Sequence, residues 1–122
     1  MERGILEGIR ILDFTRVLAG PYATRVLGDF GAEVIKVQSV KVPEGREGGD
    51  RAYFSNWNRN KLGITMNMNH PEARGLALKL AALCDAVIEN FSPRVMANWG
   101  LSYGEISKVR KDIIMVSMSA MA

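Results

Sequence analysis

The stretch IRILDFTRVLAGPYATRVLGDFGAEVIKVQ (residues 9–38) decides the fold class of this chain. Apolar residues dominate the segments Ile9–Phe14 and Ala32–Gln38, which predicts two buried strands. Between them, Pro21 stands where a helix begins and Gly31 stands just past its end, as these residue types commonly do at helix termini. The stretch therefore predicts a strand, a helix and a second strand.

The same alternation continues along the chain. Three further strands are predicted at residues 62–68, 85–90 and 113–119. Ser102 with Glu105 forms a capping box that starts a helix in YGEISKVR. Residues 69–84 predict a helix whose apolar face comprises Ala73, Leu76, Ala77, Leu80 and Leu83. Repeated strand–helix units with near-continuously apolar strands predict a doubly wound, mostly parallel α/β sheet of the Rossmann-like kind, covered on both faces.

Composition and charge exclude several classes of protein. The 122 residues fit one domain, and the formal charge of +3 is spread along the chain, which favours a small anionic ligand over a nucleic acid. One cysteine, Cys84, and one histidine, His70, do not supply a zinc site. The charged N-terminus and the lack of a long apolar run predict a cytoplasmic protein without a membrane partner.

The turn after the first strand is not a dinucleotide fingerprint. Residues 15–21 (TRVLAGP) contain Gly20 alone where that fingerprint needs three spaced glycines, and Val37 is followed by Gln38 rather than by an acidic residue. Two interpretations stay open. The helix start could receive an anion or a carbonyl oxygen, or Gly20 and Pro21 could form a simple tight connection.

Polar residues at other turns have similarly open interpretations. In WNRNK (residues 57–61), Arg59 and Lys61 could clamp phosphates or carboxylates, or could belong to a polar surface turn. ENFSP (residues 89–93) leaves the carboxyl end of a strand, where ligands bind in open α/β sheets. Asn90 can donate and accept hydrogen bonds there and Phe91 can lie against a planar ring, or the segment is a helix-capping turn.

The titratable residues do not form a recognisable acid–base set. Asp13 ends the first strand near the expected ligand side and is a weak catalytic candidate, while Asp29, Asp50 and Asp85 do not pair with it. His70 precedes Pro71 at a helix start, which indicates a structural role, and the apolar neighbours of Cys84 indicate burial.

Ordered motifs along nearly the whole chain resemble the N-terminal part of the family III CoA-transferases. That family includes formyl-CoA and carnitine CoA-transferases and the α-methylacyl-CoA racemases. The segments that carry the resemblance are GIRILDFT, AGPY, LGDFGAEVIKV, GDR, NRNK, HPEARG, DAVIENFSP and WGLSY, in this order from Gly8 onward.

The resemblance implies an enzyme that moves coenzyme A between an acyl-CoA and a carboxylic acid through an aspartyl-linked intermediate. It implies an interlocked homodimer, with CoA as substrate rather than as a permanently bound cofactor. Residues 1–122 would be the N-terminal CoA-binding part of the large α/β domain, with the nucleophilic aspartate and the small domain outside them. We therefore expect this chain alone to be an inactive fragment.

The resemblance also assigns CoA-binding residues. The turn of Val17, Leu18 and Ala19 would lie beside the pantetheine and adenine part of CoA. The strand end with Met66, Met68 and Asn69 would line the nucleotide, and Asn90 and Phe91 would meet CoA near the ENF turn. No catalytic residue is assigned within the chain.

Departures from the family pattern affect the phosphate contacts. Ser39, Val40, Asn69 and Asn98 stand where relatives carry basic or other phosphate-binding residues, and the candidates to replace them are Lys41, Arg46, Arg51 and Arg94. Two alternative functions stay open, a racemase of the same family and a short non-catalytic CoA-binding or structural subunit.

Overall fold

The computed structural model describes residues 4–39, 41 and 51–120. Its core is a five-stranded, all-parallel sheet in the order β3-β2-β1-β4-β5. The elements in chain order are β1 (Arg10–Asp13), α1 (Ala19–Asp29), β2 (Glu33–Gln38), α2 (Arg51–Trp57), β3 (Lys61–Thr65), α3 (Ala73–Ala82), β4 (Ala86–Glu89), α4 (Val95–Asn98), α5 (Tyr103–Val109) and β5 (Ile114–Ser117). The predicted doubly wound α/β class is confirmed.

The strand order places a topological switch at the centre of the sheet. The chain builds outward from β1 to β2 and β3, then returns to place β4 on the other side of β1, with Leu12 beside Val87 in the register. In such sheets the crevice at the carboxyl ends of the strands is where ligands bind.

Alternating side chains divide the core into two layers. Leu12 and Val87 face α3 and α5, where they pack with Ala77 and Ile106. Their neighbours Ile11 and Ile88 point to the opposite face, where Val34 and the α1 residue Leu27 complete a smaller cluster. The central strands are thus covered on both faces, as predicted.

The outer strands are less covered than expected. Leu62 in β3 is exposed, and Ile114 in β5 is 62% exposed. Within the described part of the chain, helices cover the three central strands and leave the two edges open.

The buried face of α3 differs from the prediction. Alanines 73, 77 and 81 are buried, whereas Leu76 and Leu83 are 57% and 61% exposed. At about 100° per residue, the two leucines lie roughly a quarter-turn from the alanine face, so the small side chains, not the large ones, bring α3 close to the sheet.

Helix termini show how local sequence sets the boundaries. Ser102 caps α5 by accepting a hydrogen bond from the Glu105 N–H, which confirms half of the predicted capping box. The Glu105 carboxylate instead binds Arg74 and Lys108. Gly31 follows α1 with φ of 107°, as a helix-ending glycine should.

The start of α1 differs from the prediction. Helix α1 begins at Ala19, so Pro21 is its third residue rather than its first. A proline is tolerated there because N–H groups in the first turn have no partner within the helix.

Two short helices were not predicted. Helix α2 has no buried residue and α4 is a single turn, so neither presents an apolar stripe that periodicity could detect. Val40 and residues 42–50, which include Arg46 and Asp50, lie outside the described residues.

Candidate functional site

A cavity of about 220 Å³ opens at the carboxyl ends of four strands. Segments following β1, β2, β3 and β4 converge on it, and α4 closes one side. Its lining comprises Phe14, Arg16, Val37, Gln38, Ser39, Lys41, Met66, Asn67, Met68, Asn69, Phe91, Val95 and Trp99. Pockets for drug-sized ligands usually measure about 300–1,000 Å³, so this one suits part of a larger molecule.

One wall of the cavity is aromatic. The Phe91 and Trp99 rings lie 5.2 Å apart between centroids, nearly perpendicular, and Phe14 lies 6.4 Å from Trp99. Met66 is buried at the base and belongs to the same hydrophobic cluster as Phe14. Aromatic faces beside methionine thioethers suit a planar heterocycle or an aliphatic arm.

The other side of the cavity is polar and carries positive charge. Arg16 and Lys41 line it together with the amide side chains of Gln38 and Asn69. None of the lining residues in the described part of the chain is acidic. The combination favours a ligand with a flat or apolar part and an anionic part.

A buried polar network surrounds Asp13 at the carboxyl end of β1, close to the cavity. The fully buried Asp13 carboxylate accepts hydrogen bonds from the Thr15 N–H (2.8 Å) and the Thr24 hydroxyl (2.6 Å). The Lys61 ammonium pairs with it at 3.1 Å. Asp13 is therefore a structural residue enclosed by partners rather than an acid–base group facing a ligand.

Gly20 allows α1 to approach this network closely. A Cβ at position 20 would lie 2.4 Å from the Thr15 Cβ. The glycine is thus needed for contact between the start of α1 and the turn after β1, which supports the tight-connection interpretation of Gly20 and Pro21.

The turn after β1 is joined to the turn after β4. Asn90 accepts a hydrogen bond from the Arg16 N–H (2.8 Å) and donates one to the Arg16 carbonyl (2.7 Å). Directly afterwards, Val17 adopts a left-handed backbone conformation with φ of 72°. Such a conformation is strained for a β-branched residue.

The structure brings some of the predicted CoA-binding residues together. Met66, Met68, Asn69 and Phe91 line the cavity. Asn90 stands next to Phe91 with its amide bonded to Arg16. Val17, Leu18 and Ala19 are exposed at the start of α1 and are not among the lining residues. Their contact with CoA stays a prediction.

The WNRNK segment does not form a phosphate clamp. Arg59 donates to the Asp29 carboxylate at 2.8 Å, and this bond lowers the pKa of Asp29. Lys61 points inward to Asp13 and also donates to the Asn58 side chain at 2.8 Å. The surface-turn interpretation holds for Arg59, and Lys61 is structural.

The single histidine and cysteine are structural. His70 accepts a hydrogen bond from the Glu72 N–H at 3.1 Å in the turn before α3. Cys84 is fully buried, and burial raises the pKa of its thiol to about 11. Among the described residues no cluster of metal-ligating side chains occurs, and no helix is long and apolar enough to span a membrane.

Sequence reasoning missed Arg16, Phe14 and Trp99 as lining residues. Phe14 and Arg16 are far from Trp99 in sequence, and only the strand order brings these segments together. The spacing of eight residues between Phe91 and Trp99, across a one-turn helix, was the available signal.

The model of the family described as CoA-transferase family III matches residues 6–121. This chain belongs to that family. It is similar to succinyl-CoA:glutarate CoA-transferase of Mus musculus, with 44% identity over 121 residues that cover 93% of the chain and 28% of the relative. It is also similar to formyl-CoA:oxalate CoA-transferase of Afipia carboxidovorans, with 37% identity and the same two coverages.

Solved structures agree with this family membership. The fold resembles that of a CAIB/BAIF family protein from Brucella suis, with a TM-score of 0.87 and 33% identity over 95% of this chain and 33% of that one. This chain spans about 28% of the length of the two CoA-transferases named above.

Proposed function

We propose that residues 1–122 form the CoA-binding part of a CoA-transferase, an enzyme that moves coenzyme A between an acyl-CoA and a carboxylic acid. The observation that carries this proposal is the cavity at the switch point, with an aromatic wall on one side and Arg16 and Lys41 on the other. Coenzyme A combines a planar adenine, a pantetheine arm and phosphates, which match these two surfaces.

The described residues support binding rather than the covalent step. Asp13 is enclosed by Thr15, Thr24 and Lys61, and the cavity lining carries no carboxylate among the described residues. We propose that an aspartate outside residues 1–122 attacks the thioester carbonyl. This attack forms a mixed anhydride and releases the CoA thiolate, which is the usual logic of covalent catalysis.

Isothermal titration of the complete gene product with CoA tests the binding proposal. Trp99→Ala removes half of the aromatic pair and is expected to raise the Kd several-fold, because such contacts contribute about 0.5–1.5 kcal/mol. The control is Arg59→Ala, since Arg59 is bonded to Asp29 away from the cavity. A protein that does not bind CoA at millimolar concentration would overturn the proposal.

The transferase is favoured over a racemase because the relatives reported above carry CoA-transferase names. Incubation with an acyl-CoA and an isotopically labelled free acid should give labelled acyl-CoA. Incorporation of deuterium from solvent at the α-carbon without such exchange would instead establish a racemase. Co-purification with a longer homologous chain that alone carries the activity would establish a non-catalytic subunit.

We further propose a homodimer in the cytoplasm that uses an acyl-CoA and a small carboxylic acid. Family membership supports the acyl-CoA and acid substrates. Light scattering of the purified gene product measures the assembly, and a mass of one chain would exclude the dimer. Cell fractionation tests the location.

A further inference from the structure

The backbone of the turn between β1 and α1 is held by side chains from three separate segments of the chain. The Thr15 N–H donates to Asp13 at 2.8 Å, and the Thr15 carbonyl accepts from the Lys36 ammonium at 2.7 Å. The Arg16 N–H and carbonyl both bind Asn90, at 2.8 and 2.7 Å. All four backbone polar groups of two consecutive residues therefore have side-chain partners, contributed by β1, β2 and the segment after β4.

These bonds precede a strained residue whose side chain is mostly exposed. Val17 has φ of 72° and is 64% exposed, and Leu18 is also exposed. A non-glycine residue held in this region costs about 1–3 kcal/mol and persists only when its surroundings impose it. The Arg16 carbonyl belongs to the peptide group that leads into Val17, so its bond to Asn90 fixes the orientation of the backbone from which φ of Val17 is set.

The chemistry of Asn90 fits this role closely. A primary amide offers one acceptor and donors on the same short side chain, which complements the N–H and carbonyl of a single residue. An aspartate of similar size could accept from the Arg16 N–H but would face the Arg16 carbonyl with a second acceptor. Lys36 is buried and lies opposite Asp13 in the sheet register, so its ammonium reaches Thr15 from a fixed position.

We propose that Asn90 and Lys36 are positioning residues that preorganise the ligand-binding turn. They hold Val17 in its left-handed conformation, so that the Arg16 side chain at the cavity and the adjoining backbone of residues 17–19 are ordered before CoA arrives. This inference rests on the proposed CoA site and extends it. A turn ordered in advance reduces the ordering cost of binding.

A double-mutant cycle between Asn90→Ala and Val17→Gly, in the complete gene product, tests this role. Asn90→Ala should raise the Kd for CoA at least tenfold, because Val17 can relax away from φ of 72°. Adding Val17→Gly should recover at least threefold of that loss, since glycine adopts positive φ without steric cost. In the parent protein the same glycine should not tighten binding. Asn56→Ala, at an exposed position of α2, is the matched control.

The cycle separates positioning from direct contact. If Asn90 bound CoA through its own side chain, or supported only the fold, Val17→Gly would recover nothing, and the inference would be wrong. If Asn90→Ala does not fold, Asn90→Asp carries the same test, because it keeps the volume and the bond to the Arg16 N–H.

Thermal unfolding of the same four proteins needs no ligand. The Tm change caused by Val17→Gly should be more positive in the parent than in the Asn90→Ala protein, because Asn90→Ala has already released the strain at Val17. Equal shifts in both backgrounds would overturn the inference even if CoA binds. If the parent binds no CoA, the proposed function fails, and the unfolding cycle still decides whether Asn90 holds the turn.

Discussion

The two ends of the parallel sheet hold charge in opposite ways. At the amino end, Arg10, Glu33, Asp85 and Arg110 line a hollow of about 470 Å³ and bind one another, with Arg110 2.7 Å from Asp85 and Arg10 paired to Glu33. At the carboxyl end, a cavity of about 220 Å³ carries two cations, an aromatic wall and no acidic lining residue in the described part of the chain.

The difference shows that the larger hollow is not the better candidate for binding. At the amino end, Arg10 and Arg110 are each paired with a carboxylate, and these pairs stabilise the strand ends. At the carboxyl end both strand-end carboxylates are buried, Asp13 in a network with Lys61 and Thr24, and Glu89 against the Phe91 N–H, so the cavity lining is left positive. The burial of these two carboxylates thus gives the sheet a binding end and a structural end.

Removing Asp13 should have the largest effect on stability. Asp13→Ala leaves the buried Lys61 without its carboxylate, and breaking a buried ion pair costs about 3–5 kcal/mol. Asp85→Ala, at the half-buried amino-end pair, should cost about 1–2 kcal/mol. Urea unfolding measures both, and equal losses would show that the two ends do not differ.

Alkaline pH should lower the free energy of unfolding through the buried Cys84 thiol, which lies at the amino end. The pKa of Cys84 is raised by burial from 9.0 to about 11, so the unfolded chain releases this proton first as pH rises. The stability that the neutral thiol contributes is fully present below pH 9 and falls by about 3 kcal/mol at most as the pH rises to 11. Cys84→Ala should lack this part of the slope in unfolding measured from pH 8 to 11. Parallel slopes would contradict the prediction.

Two glycine substitutions should shift stability in opposite directions. Gly20→Ala forces a Cβ within 2.4 Å of Thr15 and should cost about 1–3 kcal/mol. Gly75→Ala meets nothing within 4 Å in α3 and should gain about 0.4–1 kcal/mol. Paired thermal unfolding checks this, and a stabilising Gly20→Ala would exclude the close contact.

The smallest expected effect concerns the two cationic positions. Lys41→Ala, at the cavity, should weaken CoA binding about two- to fivefold, as expected for an exposed charge contributing about 0.5–1 kcal/mol. The loss should shrink at high salt because exposed charges are screened. Arg110→Ala, at the other end, should leave the affinity unchanged. Titrations at two salt concentrations measure both, and equal effects would remove the distinction between the ends.

Local pattern was enough to predict the elements that form the centre of the sheet. The segment from Ile9 to Gln38 contains a mostly apolar run, a helix-ending Gly31 and a second mostly apolar run, and the structure follows it to within a residue at each strand. Helix α2 escaped prediction because none of its residues is buried. In α3 the predicted buried face included leucines, but the structure buries the alanines, because close packing against the sheet favours small side chains.

Residues of the candidate site could be predicted only where the sequence shares motifs with the CoA-transferase family. Met66, Met68, Asn69 and Phe91 were named from matching motifs and do line the cavity. Arg16 and Trp99 needed the strand order to be recognised, and the bond between Asn90 and Arg16 spans 74 positions of sequence. No periodicity encodes a contact of that kind.

That long separation has a consequence for how the molecule assembles. The turn at Arg16 is translated early, yet its partner Asn90 arrives 74 residues later and is in place only when β4 has docked beside β1. At a synthesis rate of about 5–20 residues per second, the turn waits several seconds for its partner. Because contacts distant in sequence form slowly, the ligand-binding end is expected to be completed late in folding. Capture of CoA would then report that the central strands are correctly ordered.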